Sequence, residues 1–307
     1  MTTVKNYLSL VKFSHTIFAM PFALIGFFLG MKTTFHGGGI WQAINPSVQS
    51  NLPAILSNNL LILKFILVII CMISARSAAM AFNRYLDRTF DAKNPRTAIR
   101  EIPKGVISAN NALRFVILSS IIFILSTYFI NKICFYLSPV ALFVILFYSY
   151  TKRFTALCHI VLGIGLSLAP IGAYLAVTDK FDLLPLLFSF AVIFWVSGFD
   201  IIYALQDEDF DKNNQLHSIP VALGKLNALR VSELLHIISA ACVIYAGYYG
   251  NFHWIYWSGI SVFVGMLIYQ HSIVKPNDLS KVNIAFMTAN GIASVVFAVL
   301  VITDLFI

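Results

Sequence analysis

Charge is what this chain has least of. Only 11% of its 307 residues are Asp, Glu, Lys or Arg, and just 13 are acidic. A soluble domain carries roughly 25% charged residues, so this composition cannot build a water-facing surface. Cysteine is also scarce: Cys71, Cys134, Cys158 and Cys242 each stand alone in an apolar stretch. That isolation excludes a disulfide framework and a CxxC zinc knuckle. Basic residues outnumber acidic ones, 21 to 13, yet they form no aromatic-interleaved groove or tail, which excludes nucleic acid as a partner. The charge-free stretch 34–58 holds Gly37, Gly38, Gly39, Pro46 and Pro53 but no GxxxxGK, so it is an ordered external loop rather than a phosphate cradle.

What fills the chain instead is hydrocarbon: 59% of it is hydrophobic and the mean hydropathy is +0.83. This describes an all-α polytopic membrane protein. Windows of about 20 apolar residues, the length that crosses a bilayer, fall near 13–33, 59–82, 109–130, 133–150, 156–177, 183–204, 227–249, 252–271 and 284–305. The first window follows Lys5 and Lys12 in the manner of a signal peptide, but it is long enough to span and lacks a small-residue cleavage site, so it reads as a retained helix. Nine transmembrane helices result, in a single domain over 1–307. Connections on one side hold fourteen Lys and Arg, against only Lys32, Lys132 and Lys180 on the other. The excess marks the cytoplasmic face, which places the N-terminus in the cytoplasm.

Against this background the few acids are concentrated. Eight of the thirteen lie in or just after two stretches, NRYLDRTFD (83–91) and DIIYALQDEDFD (200–211). At about 100° per residue, Asn83, Asp87 and Asp91 share one helical face, as do Asp200, Tyr203, Asp207 and Asp211, while Asp209 points away. Asn83, Asp87 and Asp91 map onto Tyr203, Asp207 and Asp211 at a constant offset of 120 residues, the mark of two related halves facing one cavity. Glu101, Glu208 and Asp209 fit ordinary loop acids. Carboxylates converging beside hydrocarbon must raise each other's pKa or share a cation, and a hard divalent ion is the natural partner. Bases stand close by: Arg76 and Arg84 in the second helix, Arg88, Arg96 and Arg100 after it, then Lys152, Arg153 and Lys212. Acids with Mg2+ and nearby guanidinium groups are what a diphosphate requires. Loops at 88–108 and 207–225 are long enough to cap such a site.

These two motifs, with the flanks DAKNPRT, YTKRF and LHSIPVALGK, resemble the UbiA superfamily of intramembrane prenyltransferases, and QLHSIPVALG is closest to its 4-hydroxybenzoate branch. The resemblance implies nine helices around a central cavity, opening sideways to the bilayer, in which Mg2+ bridges a polyprenyl diphosphate. Asn83, Asp87 and Asp91 would hold one ion and Asp207 and Asp211 another, with Asp200 close by. Asp87, Asp207, Tyr203 and Arg153 would be the catalytic set, and Lys152, Arg153, Arg76, Arg84, Arg96 and Lys212 would surround the diphosphate. Arg96 and Thr97 match the RT that follows the first motif. The implied reaction is alkylation of an aromatic acid by the allylic cation left when diphosphate departs. Aromatic residues such as Tyr148, Trp195 and Phe199 would shield that cation. The active site would face the cytoplasm of a bacterial inner membrane, in ubiquinone synthesis or, with a naphthoate acceptor, menaquinone synthesis. Arg153, Lys152, or Lys12 with His15 would meet the acceptor's carboxylate, and His217 would order the second cap. His36, His159, His236, His253 and His271 lack metal spacing and receive no role. An ion-coupled transporter would place its charges nearer the bilayer midplane.

Overall fold

The computed structural model describes residues 2–12, 18–35 and 54–307. His15, His36 and most of the external loop expected over 34–58 lie outside them. Among the described residues the chain is helical throughout, without a strand. The helices are α1 (Thr2–Leu10), α2 (Met20–Phe35), α3 (Ala54–Leu86), α4 (Arg88–Lys93), α5 (Ala109–Ile130) and α6 (Lys132–Thr151). They continue as α7 (Cys158–Thr178), α8 (Leu183–Ala204), α9 (Glu208–Asn213), α10 (Ile219–Tyr249), α11 (Trp254–Ile273) and α12 (Asn290–Leu305). A 3-10 turn at Leu205–Asp207 joins α8 to α9, and a π turn at Ile284–Ala289 leads into α12.

Seven of these segments are long and apolar enough to cross a bilayer, which makes the chain an integral membrane protein. Two of the nine expected spans coincide with helices that differ in kind. Helix α2 is short at 16 residues, and α11 carries Trp, Tyr, Gln and His among its apolar residues.

Helices α2, α7 and α8 form the centre. Helix α7 packs against α2, α6 and α8, while α8 packs against α10 and α2 against α12. Lipid is as apolar as leucine, so close fit rather than exclusion from water holds such helices together. Gly26 shows it: a Cβ there would stand 2.0 Å from the Pro170 carbonyl oxygen, so only glycine lets α2 meet α7. The outer surface bears exposed Ile117, Leu118, Phe129 and Phe143, a patch that water would penalise and acyl chains solvate.

Several polar groups inside this core are paired. Trp195 Nε1–H and Gln270 Nε2–H both donate to Asn290 Oδ1, each at 2.9 Å. The Asn290 amide donates in turn to the Ala285 and Phe286 carbonyls, which the π turn frees from the regular ladder. Fully buried Asp304 accepts from the His253 and Tyr256 amides at 2.8 and 3.0 Å, capping α11.

The helix expected to run through each acidic motif is interrupted at the same place in both. Asp87 stands between α3 and α4 with φ −88° and ψ 5°. Asp207 stands before α9 with φ −107° and ψ 3°. The six-residue helices that follow start at Arg88 and Glu208 and end at Lys93 and Asn213, so the offset of 120 holds in the backbone as well as in the side chains. Asp87 N–H still donates to the Asn83 carbonyl at 2.9 Å and Asp91 N–H to that of Asp87 at 2.8 Å, which preserves the four-residue spacing across the bend.

Candidate active site

Asp87, Asp91, Asp200 and Asp207 are each paired with a basic side chain from outside their own motif. Asp87, 3% exposed, accepts from Arg153 Nη2 at 2.9 Å and from Asn83 Nδ2 at 3.3 Å, and it lies 3.4 Å from Lys152 Nζ. Arg153 also donates to the Ser149 and Leu86 carbonyls and lies against the Tyr150 and Phe90 rings. These contacts fix its fork where α6 ends beside the α3–α4 bend. Asp91 accepts from Arg100 Nη1 at 2.6 Å through Oδ1. Its Oδ2 is buried without a partner.

The second motif is bound to the loop after the first. Arg96 grips both carboxylate oxygens of Asp207, through Nε at 3.0 Å and through Nη2, while its Nη1 donates to the Tyr203 hydroxyl at 2.8 Å. Asn94 Nδ2 donates to Asp207 Oδ1 at 3.1 Å, and the Asn94 side-chain oxygen receives the Arg96 amide at 2.9 Å. Burial lowers the Arg96 pKa, but the hydrogen bond and charge of Asp207 outweigh burial and raise it overall. The expected cap over 88–108 is thereby fastened across the two halves.

Asp200, Asp207 and Asp211, which the spacing predicts on one helical face, are instead divided among α8, the 3-10 turn and α9. Asp200 Oδ2 meets His159 Nδ1 at 2.7 Å. Asp211 is buried within electrostatic reach of Lys152, Asp207, His159 and Asp87. Among the described residues no three acids or histidines approach closely enough to hold one ion. The chain's own cations stand between them. The donors still suit a hard metal: they are carboxylate and amide oxygens, and one of them, Asp91 Oδ2, is a buried acceptor with no hydrogen bond.

Two further guanidinium groups are less satisfied. Arg84 is 4% exposed, and its Nε and Nη1 are buried without partners. Arg76 Nε is likewise buried and unpartnered. Arg76 and Tyr148 line a cavity of about 400 Å3 whose other walls, from Val68, Met72, Phe123, Val144 and Leu166, are apolar. This cavity lies between α3, α5, α6 and α7. Lys212 sits differently, exposed at the end of α9, as does Asp209. Arg88 bends onto the Tyr85 carbonyl and ring. Lys12 enters the site's field, its pKa lowered by burial and by the charges of Arg84 and Arg100. Its helix is tied down by Ser9 donating to Glu101 and by Tyr7 against Phe115. Glu101 is therefore an anchoring residue rather than a free loop acid.

Sequence reasoning missed two contributors. Asn94 lies in the DAKNPRT flank, where the pattern marked only Arg96 and Thr97. His159 had no local signal because its partners, Asp200 and Ile219, are 41 and 60 residues away.

A model of the UbiA prenyltransferase family matches residues 52–292. The 4-hydroxybenzoate octaprenyltransferases of Burkholderia mallei and Burkholderia ambifaria are 30% and 31% identical to this chain over 223 residues, 73% of the chain and 77% of each relative. Among solved structures, a UbiA homolog from Aeropyrum pernix superposes with a TM-score of 0.74 at 26% identity, covering 95% of this chain and 97% of that one. A UbiA homolog from Archaeoglobus fulgidus, bound to DMAPP and Mg2+, shares the fold with a TM-score of 0.66 at 19% identity, covering 98% and 99%. The chain belongs to the UbiA prenyltransferase family and is an aromatic prenyltransferase.

Proposed function

We propose that the protein transfers a polyprenyl group from a polyprenyl diphosphate to an aromatic acid such as 4-hydroxybenzoate, with Mg2+, in quinone biosynthesis. The observation that carries this reading is the joining of two acidic motifs by basic side chains beside an apolar cavity. One end of the arrangement suits a charged headgroup and the other a hydrocarbon tail. The 4-hydroxybenzoate octaprenyltransferases among the relatives support the acceptor, and the Archaeoglobus fulgidus protein bound to DMAPP and Mg2+ supports the donor and the ion.

Asn83, Asp87 and Asp91 would hold one Mg2+, and Asp207 and Asp211 the other, with Asp200 adjacent. Bound there, the metal would supply charge neutralisation to the departing diphosphate. Lys152, Arg153 and Arg96 already stand on these carboxylates, so each can move its hydrogen bonds onto phosphate oxygens without leaving the site. Arg84 and Arg76 have donors to spare for the substrates' remaining anionic oxygens. Tyr203, held through its hydroxyl by Arg96, would offer its ring to the allylic cation. The apolar walls from Val68 to Leu166 exclude water that would quench that cation.

The same reading takes the chain as one domain with nine spans, adding α2 and α11 to the seven clear ones. Its N-terminus, the 88–108 and 207–225 caps and the active site would face the cytoplasm of a bacterial inner membrane. The distribution of Lys and Arg supports that orientation. The test is mass spectrometry of products formed by purified protein in nanodiscs with Mg2+, prenyl diphosphates of several lengths, and both hydroxybenzoate and naphthoate acids. A prenylated hydroxybenzoate is the expected product. A prenylated naphthoate with no hydroxybenzoate product would overturn the acceptor assignment, and diphosphate turnover without any prenylated acid would overturn the reaction.

A further inference from the structure

Asp200 differs from Asp87, Asp91 and Asp207 among the acids proposed for the metal-diphosphate site. Asp87 has Lys152 and Arg153, Asp91 has Arg100 and Asp207 has Arg96. The partner of Asp200 is an imidazole: His159 Nδ1 lies 2.7 Å from Oδ2. His159 is 3% exposed at the start of α7, at the bottom of the α7–α8 contact. Both ring nitrogens and the carbonyl are engaged. The carbonyl accepts from Ser197 Oγ at 3.1 Å, and Nε2 lies 3.4 Å from the Ile219 amide.

That last contact gives the ring's hydrogen bonds a direction. An amide can only donate, so Nε2 is the acceptor and the ring proton sits on Nδ1, directed at Asp200. The ring therefore reads two things at once, the carboxylate of the second motif and the first residue of α10. The stretch before α10 is the end of the second cap, and it docks on the same corner. His217 N–H donates to the Lys152 carbonyl at 2.7 Å, and Cys158 Sγ approaches the His217 carbonyl at 3.6 Å. Ser218 then caps α10 through the Val221 amide. One imidazole thus bridges the α6–α7 corner, the docked cap and the acid that opens the second motif.

We infer that His159 is the positioning residue for Asp200, and that it makes the orientation of this carboxylate conditional on the seating of the 214–219 segment. The inference rests on the reading of Asp200 as part of the metal-diphosphate site. A carboxylate with one oxygen held by a fixed N–H offers the other in a single direction, and partners of this kind tune a metal site although they never touch the metal. With a cap unseated, Nε2 loses its donor, the ring is freer to turn and Asp200 loses its fixed direction.

Two substitutions separate the ring's edges. In His159→Asn the amide nitrogen takes the place of Nδ1 and can donate to Asp200, but nothing reaches Ile219. In His159→Gln the amide oxygen takes the place of Nε2 and can accept from Ile219, but the donor to Asp200 is lost. Binding of inorganic diphosphate as a function of Mg2+, measured calorimetrically on the full-length protein in nanodiscs, gives a readout that does not need turnover. The expected result is a 10- to 100-fold higher Mg2+ requirement for His159→Gln, a substantially smaller shift for His159→Asn, and faster amide exchange at Ile219 in His159→Asn alone. Equal Mg2+ requirements for the two variants, or an unchanged Ile219 exchange rate in His159→Asn, would overturn the inference. Asp200→Asn tests the reading underneath. If its Mg2+ requirement matches wild type, Asp200 lies outside the metal site. A shifted Asp200→Asn together with an unshifted His159→Gln would instead refute the positioning role alone.

Discussion

Arg96 is the side chain through which the two halves of the site are joined, and replacing it with lysine isolates that function. Lysine keeps the charge but cannot reproduce the fork. In the native arrangement Nε and Nη2 take both oxygens of Asp207 and Nη1 takes the Tyr203 hydroxyl. A hydrogen bond to a charged group is worth about 1.5–3 kcal/mol, and a lysine ammonium in this position can recover one bond to Asp207. Two bonds are lost, one of them to a neutral hydroxyl at about 1 kcal/mol. Because the Arg96 side chain is 32% exposed, the charged bond belongs at the low end of its range. The sum is about 2–3 kcal/mol, or a 30- to 150-fold fall in kcat/KM if all of it is expressed in the transition state. The assay is prenyl transfer to 4-hydroxybenzoate under varied Mg2+, with Tm measured alongside. Arg96 and the metal compete for Asp207, so the Mg2+ concentration at half-saturation is expected to stay level or fall as kcat drops. A kcat/KM within twofold of wild type, or a raised Mg2+ requirement with kcat intact, would refute the reasoning. A cycle with Tyr203→Phe apportions the loss: if the Nη1 bond matters, Arg96→Lys costs about 1 kcal/mol less in the Tyr203→Phe background.

Other side chains give independent checks. Asp87→Ala removes the shared partner of Lys152 and Arg153 and leaves two partly buried cations uncompensated; activity is expected to vanish, with a stability loss of about 3–5 kcal/mol seen as a lower Tm. Gly26→Ala places a methyl against the Pro170 carbonyl and should destabilise by about 1–3 kcal/mol in thermal unfolding, without changing the KM of the folded fraction. Ser9→Ala frees α1 from Glu101, so limited proteolysis should cut near α1 sooner while core fragments persist. Removing divalent ions with a chelator should abolish prenyl transfer, and Mg2+ should restore it while leaving the helical content unchanged.

Much of this arrangement was legible in the sequence because its signals are local. Apolar windows mark helices wherever the bilayer demands about 20 such residues, and the four-residue spacing of Asn83, Asp87 and Asp91 puts them on one face. The bends at Asp87 and Asp207 were not legible. The same spacing suits a continuous helix, and the bend at Asp87 preserves the i to i+4 hydrogen bonds on which the spacing depends. Nor did spacing show that Asp200, Asp207 and Asp211 would part company. Their destinations, His159, Arg96 and the neighbourhood of Lys152, are set by where α7, the first cap and α6 come to rest, and sequence distance carries no record of that packing. His159 is the sharpest case, a histidine without metal spacing whose partners are brought together only by the α7–α8 contact.

The bends explain why the site is built twice in the same way. A straight helix ending in acids would leave them either in hydrocarbon, where an isolated carboxylate is costly, or in water, where bases would hold them weakly. The helix breaks at Asp87 in the first motif and at Asp207 in the second, and Asp91 and Asp211 remain buried yet within reach of cations from the caps and from the end of α6. The bend also leaves Asp87 and Asp207 at equivalent corners, each within reach of a base from outside its own motif: Arg153 from the end of α6 for one, Arg96 from the first cap for the other. Neither motif is neutralised by its own segment, so neither half can be completed without the rest of the fold. Straightening the α3–α4 corner should therefore disable the site even where all the acids are retained. Inserting one alanine after Asp87 rotates Asp91 by about 100° and separates it from Arg100; the expected outcome is a folded, membrane-inserted protein that no longer binds diphosphate with Mg2+, and retained binding would show that the register of the bend is irrelevant.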